Sequence, residues 1–176
     1  MKQLMEQWKK YLDEIESFPT ITKSQDDIKK SLEYFYKEHA PNKGKRKELG
    51  DWKGGKMVSF ELPEGDRLFF VANKEDEPIA YLGVSPFRES YAVGNVRKLK
   101  GGGFYATELY EKVMEVLGKG SLYSDKAQTE GGKGIWDRFP AKEKVETEKE
   151  DGKGKWRWRI ILKDFFNQHR TNKGTI

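Results

Sequence analysis

The chain has 176 residues, a length at which one folded domain removes roughly 70% of its unfolded surface from water. It contains no cysteine, which excludes disulfides, thiolate metal sites and cysteine nucleophiles, and its two histidines, His39 and His169, stand far apart in polar segments that do not suggest a zinc site. Charged residues make up 36% of the chain, yet the net charge is +5, a mixed surface rather than a strong cationic field.

No apolar run approaches the roughly 20 residues a membrane helix needs, and the first residues lack the apolar centre of a secretory signal. The expectation is a cytoplasmic protein with no membrane association. In chain order, Leu4, Trp8, Tyr11, Leu12 and Ile15 recur at helical spacing and predict a short amphipathic arm over 1–22, either docked on the domain or serving as a partner-binding peptide. A single domain over 23–176 follows. Ser24-Gln25-Asp26-Asp27 resembles a capping box and opens a helix that turns Ile28, Leu32 and Phe35 inward. From 37 to 56 the chain is basic and glycine-punctuated, and reads as a long flexible loop able to meet phosphates or to stay solvated.

Four strands are predicted at 57–62, 67–73, 78–85 and 90–99, joined by turn residues into an antiparallel meander. Leu109, Val113, Val116 and Leu117 then make a helical stripe over 104–117, stopped by Gly118 and Gly120. A short strand at 121–124, a glycine-weakened helix over 129–139 and a hairpin of 142–147 with 155–162 complete an α+β pattern, with helices flanking a mixed, mostly antiparallel sheet. In the last strand Trp156, Trp158 and Ile160 alternate with Arg157 and Arg159, giving an apolar face and a basic one.

The stretch that carries chemistry is a strand, then Lys98-Leu99-Lys100-Gly101-Gly102-Gly103, then a helix. Glycines let several backbone N–H groups face one concavity, and the new helix adds unpaired N–H groups and a positive dipole end, which together suit an anion. Arg97, Lys98 and Lys100 bring charge to the same place. No Lys-Ser or Lys-Thr follows the last glycine, so this is not a Walker A loop, and a meander is not the βαβ unit of a dinucleotide fingerprint.

With that loop, and with the order of the helix, short strand, helix and hairpin behind it, the sequence resembles the GNAT superfamily of acetyl-CoA-dependent N-acyltransferases, with a looser likeness to its bacteriophage members. The family's Gln/Arg-x-x-Gly-x-Gly/Ala loop is matched by Lys98 to Gly103 with lysine in first place, and its Asn-x-x-Ala-x-x-Leu-Tyr helix aligns with Thr129 to Trp136. The resemblance implies that Val96 and Arg97 bind the pantetheine arm through their backbone. It also implies that Lys98, Gly101, Gly102, Gly103 and Phe104 hold the pyrophosphate, with Thr129 contributing from the later helix.

The acceptor would be an amine on a small molecule or a protein. Trp136 stands where many relatives carry the tyrosine that protonates the departing thiolate, an act indole cannot perform. Tyr123, Ser124 or Asp125 is the expected substitute. The helical sequence ahead of Met57 is a second departure, since the family places two helices between its first two strands. Two alternatives stand beside the acyltransferase: an inert GNAT-fold binding or structural protein, and a nucleic-acid-associated protein using the basic 43–56 stretch and the Arg157 and Arg159 face.

Overall fold

The computed structural model describes residues 24–124, 135–136, 138–139, 145–152 and 155–162. The predicted arm over 1–22 and most of the predicted 129–139 helix, with Asp125 and Thr129, lie outside the described residues. Helix α1 (Gln25–Tyr34) starts where the Ser24 hydroxyl accepts the Asp27 N–H at 3.2 Å, with Asp26 and Asp27 set against the positive end of the helix. A π-helical segment (Phe35–His39) and the short α2 (Ala40–Lys43) continue it to Gly44, and Leu32, Phe35, Tyr36 and Ala40 form its buried side.

The region read as a long basic loop is structured, and that expectation is corrected here. Its first part is the helical continuation just described, and its remainder is strand β1 (Lys45–Trp52), paired antiparallel with β2 (Gly55–Glu61). The two strands meet across Lys53 and Gly54, whose φ values of 50° and 79° make the two-residue turn that matches strand twist. Loop-like composition misled because β1 is an edge strand with mostly exposed side chains. Lysines on such an edge discourage pairing with other chains, although they are poor strand formers.

The predicted meander is present as β2, β3 (Arg67–Ala72), β4 (Pro78–Phe87) and β5 (Ser90–Lys98), each antiparallel to its neighbour. Helix α3 (Ala106–Leu117) follows and ends on Gly118 in the left-handed conformation. Then come β6 (Ser121–Tyr123), β7 (Val145–Gly152) and β8 (Lys155–Leu162), and the eight strands lie in the order β1-β2-β3-β4-β5-β6-β8-β7. The class is α+β, as expected.

Strand alternation gives the sheet two buried faces. Phe69, Val71, Ala80, Leu82, Val84 and Val93 face α3, where they pack with Leu109, Tyr110, Val113 and Met114. Leu68, Phe70, Ala72 and Tyr81 face the other way, against Leu32, Phe35 and Tyr36 of the N-terminal helices. Polar contacts fix that helical layer at its far end. The Tyr36 hydroxyl donates to Asp76 at 2.7 Å and accepts from Arg46 at 3.2 Å, and Lys56 pairs with Asp76 at 2.8 Å.

β4 and β5 fall out of step between Gly83–Asn95 and Val84–Val93, which leaves Gly94 as an extra residue, a bulge that bends β5. β5 meets β6 in parallel through one pair among the described residues, Ala92 with Tyr123, with the Ser90 hydroxyl bonded to the Ser121 carbonyl at 2.5 Å. β6 ends at Tyr123, and past Ala92 no described residue pairs with β5 on that side.

His39, at the end of the π segment, lies half-buried against Phe35 with ring centroids 5.1 Å apart. Burial, helped by the neighbouring Lys43 charge, lowers its pKa to about 4. Between pH 6.5 and 4 the unfolded chain therefore takes up a proton that the fold refuses, so this site's stabilisation is complete above pH 6.5 and is lost on acidification through that window. Urea titrations should show the wild type losing on the order of 1–2 kcal/mol more than His39→Gln from pH 6.5 to 4, a figure discounted for partial exposure. Equal losses in the two proteins would show that His39 does not carry the effect.

Candidate functional site

Leaving the sheet, Leu99 still donates its N–H to the Ile79 carbonyl at 2.9 Å, and Lys100 donates its own to the Gln25 side chain at 2.7 Å. Gly101 and Gly103 follow with φ of 79° and 77°, a left-handed backbone that strains other residues. The N–H groups of Gly101, Gly102, Gly103 and Phe104 have no hydrogen-bond partner among the described residues. A Cβ added at Gly101 or Gly103 would meet nothing within 4 Å, so the space over both is open. Four backbone donors, a helix start and open space make this the strongest anion seat among the described residues.

The charges expected around the seat separate in three directions. Lys98 turns back over the Phe104 ring at 5.0 Å and donates to the Leu99 carbonyl at 3.0 Å, and burial holds its pKa below the ordinary lysine value. Lys100 is exposed. Arg97, paired with Tyr81, lies on the sheet face away from α3, whereas Val96 packs toward the α3 core.

A residue that sequence reasoning missed sits in the seat. The Glu108 carboxylate accepts the Tyr105 N–H at 2.7 Å and pairs with Lys53 at 3.0 Å, so the helix start already holds an internal anion. Trp52, beside Lys53 at the β1–β2 turn, packs on Phe104 with centroids 4.8 Å apart. The glutamate three residues into the helix was a capping signal in plain view. Its partner was hidden, because Lys53 is 55 residues away in sequence.

Of the expected proton-handling residues, Tyr123 and Ser124 are buried at the end of β6, and Asp125 is outside the described residues. The Tyr123 hydroxyl donates to Glu89 at 2.6 Å, Arg159 pairs with the same carboxylate oxygen at 3.1 Å, and the guanidiniums of Arg88 and Arg159 lie over the Tyr123 ring at 5.5 Å each. Burial and the bond to Glu89 push the phenol pKa up, while that same bond holds Glu89 below the usual carboxylate range. Glu89, in the β4–β5 turn, is the second residue the sequence did not single out. Arg159, expected on a basic solvent face, is turned instead to this cluster. Trp136, 2% exposed, sits edge-on to Tyr110 at 5.3 Å as part of the core.

No protein-family model matches the chain, and no curated protein matches it. Among solved structures, a Bacteroides thetaiotaomicron chain assigned provisionally as an acetyltransferase of the GNAT family aligns with TM-score 0.40 and 16% identity, covering 86% of this chain and 92% of that one.

Glu108→Gln should keep an oxygen for the Tyr105 N–H while removing the charge that competes with an incoming anion. Calorimetric titration with inorganic pyrophosphate should then show binding about three- to tenfold tighter than wild type at low salt, as expected for removing one like charge at a helix start. Weaker binding by Glu108→Gln would mean that the carboxylate supports the seat rather than fills it.

Proposed function

We propose that the chain is an N-acyltransferase that takes its acyl group from acetyl-CoA and delivers it to an amine. One observation carries this reading: after its single described pair with β6, β5 runs with no described residue paired on that side toward three glycines whose N–H groups lack described partners ahead of α3. An extended arm bearing amides can add to such an edge as a strand does, beside Val96 and Arg97. A pyrophosphate at its far end then reaches the four backbone donors of residues 101–104, which lack partners among the described residues. The open space over Gly101 and Gly103 fits that approach, and Lys53, released from Glu108, is positioned to pair with phosphate.

Acetyl-CoA supplies an activated acyl carbonyl, and the fold contributes positioning and proton handling. The amine nitrogen forms the new C–N bond as the C–S bond breaks. The nitrogen gives up a proton, and the departing sulfur needs one. Tyr123 ends β6 beside Ala92, and its raised pKa keeps the phenol protonated at neutral pH, with Glu89 holding that proton in line. Such a pair suits a relay between solvent-facing Glu89 and the reacting atoms.

A second reading, a CoA-binding module without turnover, is favoured by Trp136, which fills core space instead of offering a proton. The nucleic-acid reading loses its main support, because Arg46, Lys53 and Lys56 of the basic stretch are each paired with a carboxylate.

Acetyl-CoA at about a hundredfold over its dissociation constant should raise the melting temperature by roughly 5–10 °C. Gly102→Val should abolish that shift while folding normally, because Gly102 has no positive φ and an added Cβ meets only ordinary contacts at 3.5 Å and beyond. No shift in wild type at millimolar acetyl-CoA would defeat the acyl-CoA reading. Tyr123→Phe should keep the shift and slow thiol release with a panel of amines at least about tenfold. A wild type that binds acetyl-CoA but releases no thiol would favour the inert module.

A further inference from the structure

Two large hydrophobic side chains stand exposed among the described residues, Tyr34 at 43% and Tyr105 at 70%. Tyr34 lies on its own helix, with Phe35 and His39 against its ring at 5.8 and 6.2 Å. Tyr105 has no ring contact among the described residues. Helix capping does not account for it either. Tyr105 precedes the first turn of α3 with φ −90° and ψ 152°, a position that favours serine, threonine, asparagine or aspartate, whose short side chains reach the helix N–H groups. Its own side chain makes no capping bond, and Glu108 closes the helix start by accepting the Tyr105 N–H. Neither packing nor capping therefore calls for an aromatic ring here.

The residue before it turns the other way. Phe104 is 6% exposed, and Trp52 and Lys98 pack on its ring at 4.8 and 5.0 Å. Neighbours in extended backbone point to opposite sides, so burying Phe104 sends the Tyr105 ring out to solvent at the rim of the glycine turn. The space over Gly101 and Gly103 is open, and Lys100 is exposed. A donor whose arm lies along β5 and whose pyrophosphate meets residues 101–104 carries its nucleoside onward past the start of α3, to where this ring stands. Backbone N–H groups read the phosphate charge and nothing beyond it. An exposed ring reads what the phosphate is attached to, since a nucleobase offers a flat face on which it can stack.

We infer that the Tyr105 ring is the platform on which the base of the acyl donor stacks, so that the site selects thioesters carrying a nucleotide over the same acyl-pantetheine arm without one. This rests on the acyltransferase reading and adds to it the part of the donor that is recognised. Tyr105 forms and breaks no covalent bond in this role, and its hydroxyl is not needed for it. The discrimination comes from the base alone, because a donor lacking it meets the same backbone N–H groups but leaves the ring in water.

The test titrates the full chain calorimetrically with ADP and with inorganic pyrophosphate, which share the anion and differ in the nucleoside. Wild type should bind ADP more tightly than pyrophosphate. Tyr105→Ser should weaken ADP, and acetyl-CoA in a thermal-shift titration, about 5- to 30-fold while leaving pyrophosphate binding unchanged. Serine is the better cap, so this variant should melt no lower than wild type, which separates loss of the ring from loss of the fold. Tyr105→Phe and Tyr105→Trp keep a ring and should keep the preference for ADP. A wild type without that preference, a Tyr105→Ser variant that loses neither ligand or both equally, or a Tyr105→Phe variant that behaves like serine would overturn the inference. A wild type that shows no shift with acetyl-CoA would instead strike the acyltransferase reading itself.

Discussion

One extra residue in β5 governs the functional half of the molecule. Gly94 is inserted between Val93 and Asn95 relative to β4 and bends β5 beside the end of β6, and past Ala92 no described residue pairs with β5 on that side. The glycine turn stands at the end of that stretch. Glycine suits the position because it is exposed and packs nothing, so the strand loses no core contact by bulging there.

Around that bend the sheet works as a rigid partition. On one side α3 brings its N-terminal N–H groups to the end of β5, and on the other the N-terminal helices cover β2 to β4 without burying Tyr123 and Arg159 within their own cluster. The two faces thus carry different chemistry: backbone donors suited to an anion on the first, and phenols, a carboxylate and guanidiniums on the second. Gln25, the first residue of α1, bonds to the Lys100 N–H and so ties the helical layer to the glycine turn.

The meander, the α3 stripe and the glycine turn were legible because each has a local signature: alternation with turn residues, a 3.6-residue period, and consecutive glycines between a strand and a helix. Strand limits fell within a few residues of those observed. β1 was hidden by its composition, since Lys45, Arg46, Lys47 and Glu48 read as solvent-facing loop and only the β2 register shows them to be a strand. Glu108 was visible as a cap but not as an occupant of the seat, a role that depends on Lys53 from a distant hairpin. Glu89 gave no signal at all. A glutamate in a turn is ordinary, and what distinguishes it is the hydrogen bond it accepts from Tyr123 of a strand 34 residues away.

The strand order also sets a sequence of assembly. From β1 to β5 every pairing joins consecutive strands across a short turn, so the meander can close one hairpin after another at little cost in chain entropy. The contact of β5 with β6 is different: Ser90 and Ser121, which bond there, are 31 residues apart, with a whole helix to be laid down between them. Among the described residues it is also the shortest ladder, one registered pair. Closing the sheet therefore waits on α3, and the buried β6 is set between β5 and β8 only once both halves of the sheet exist.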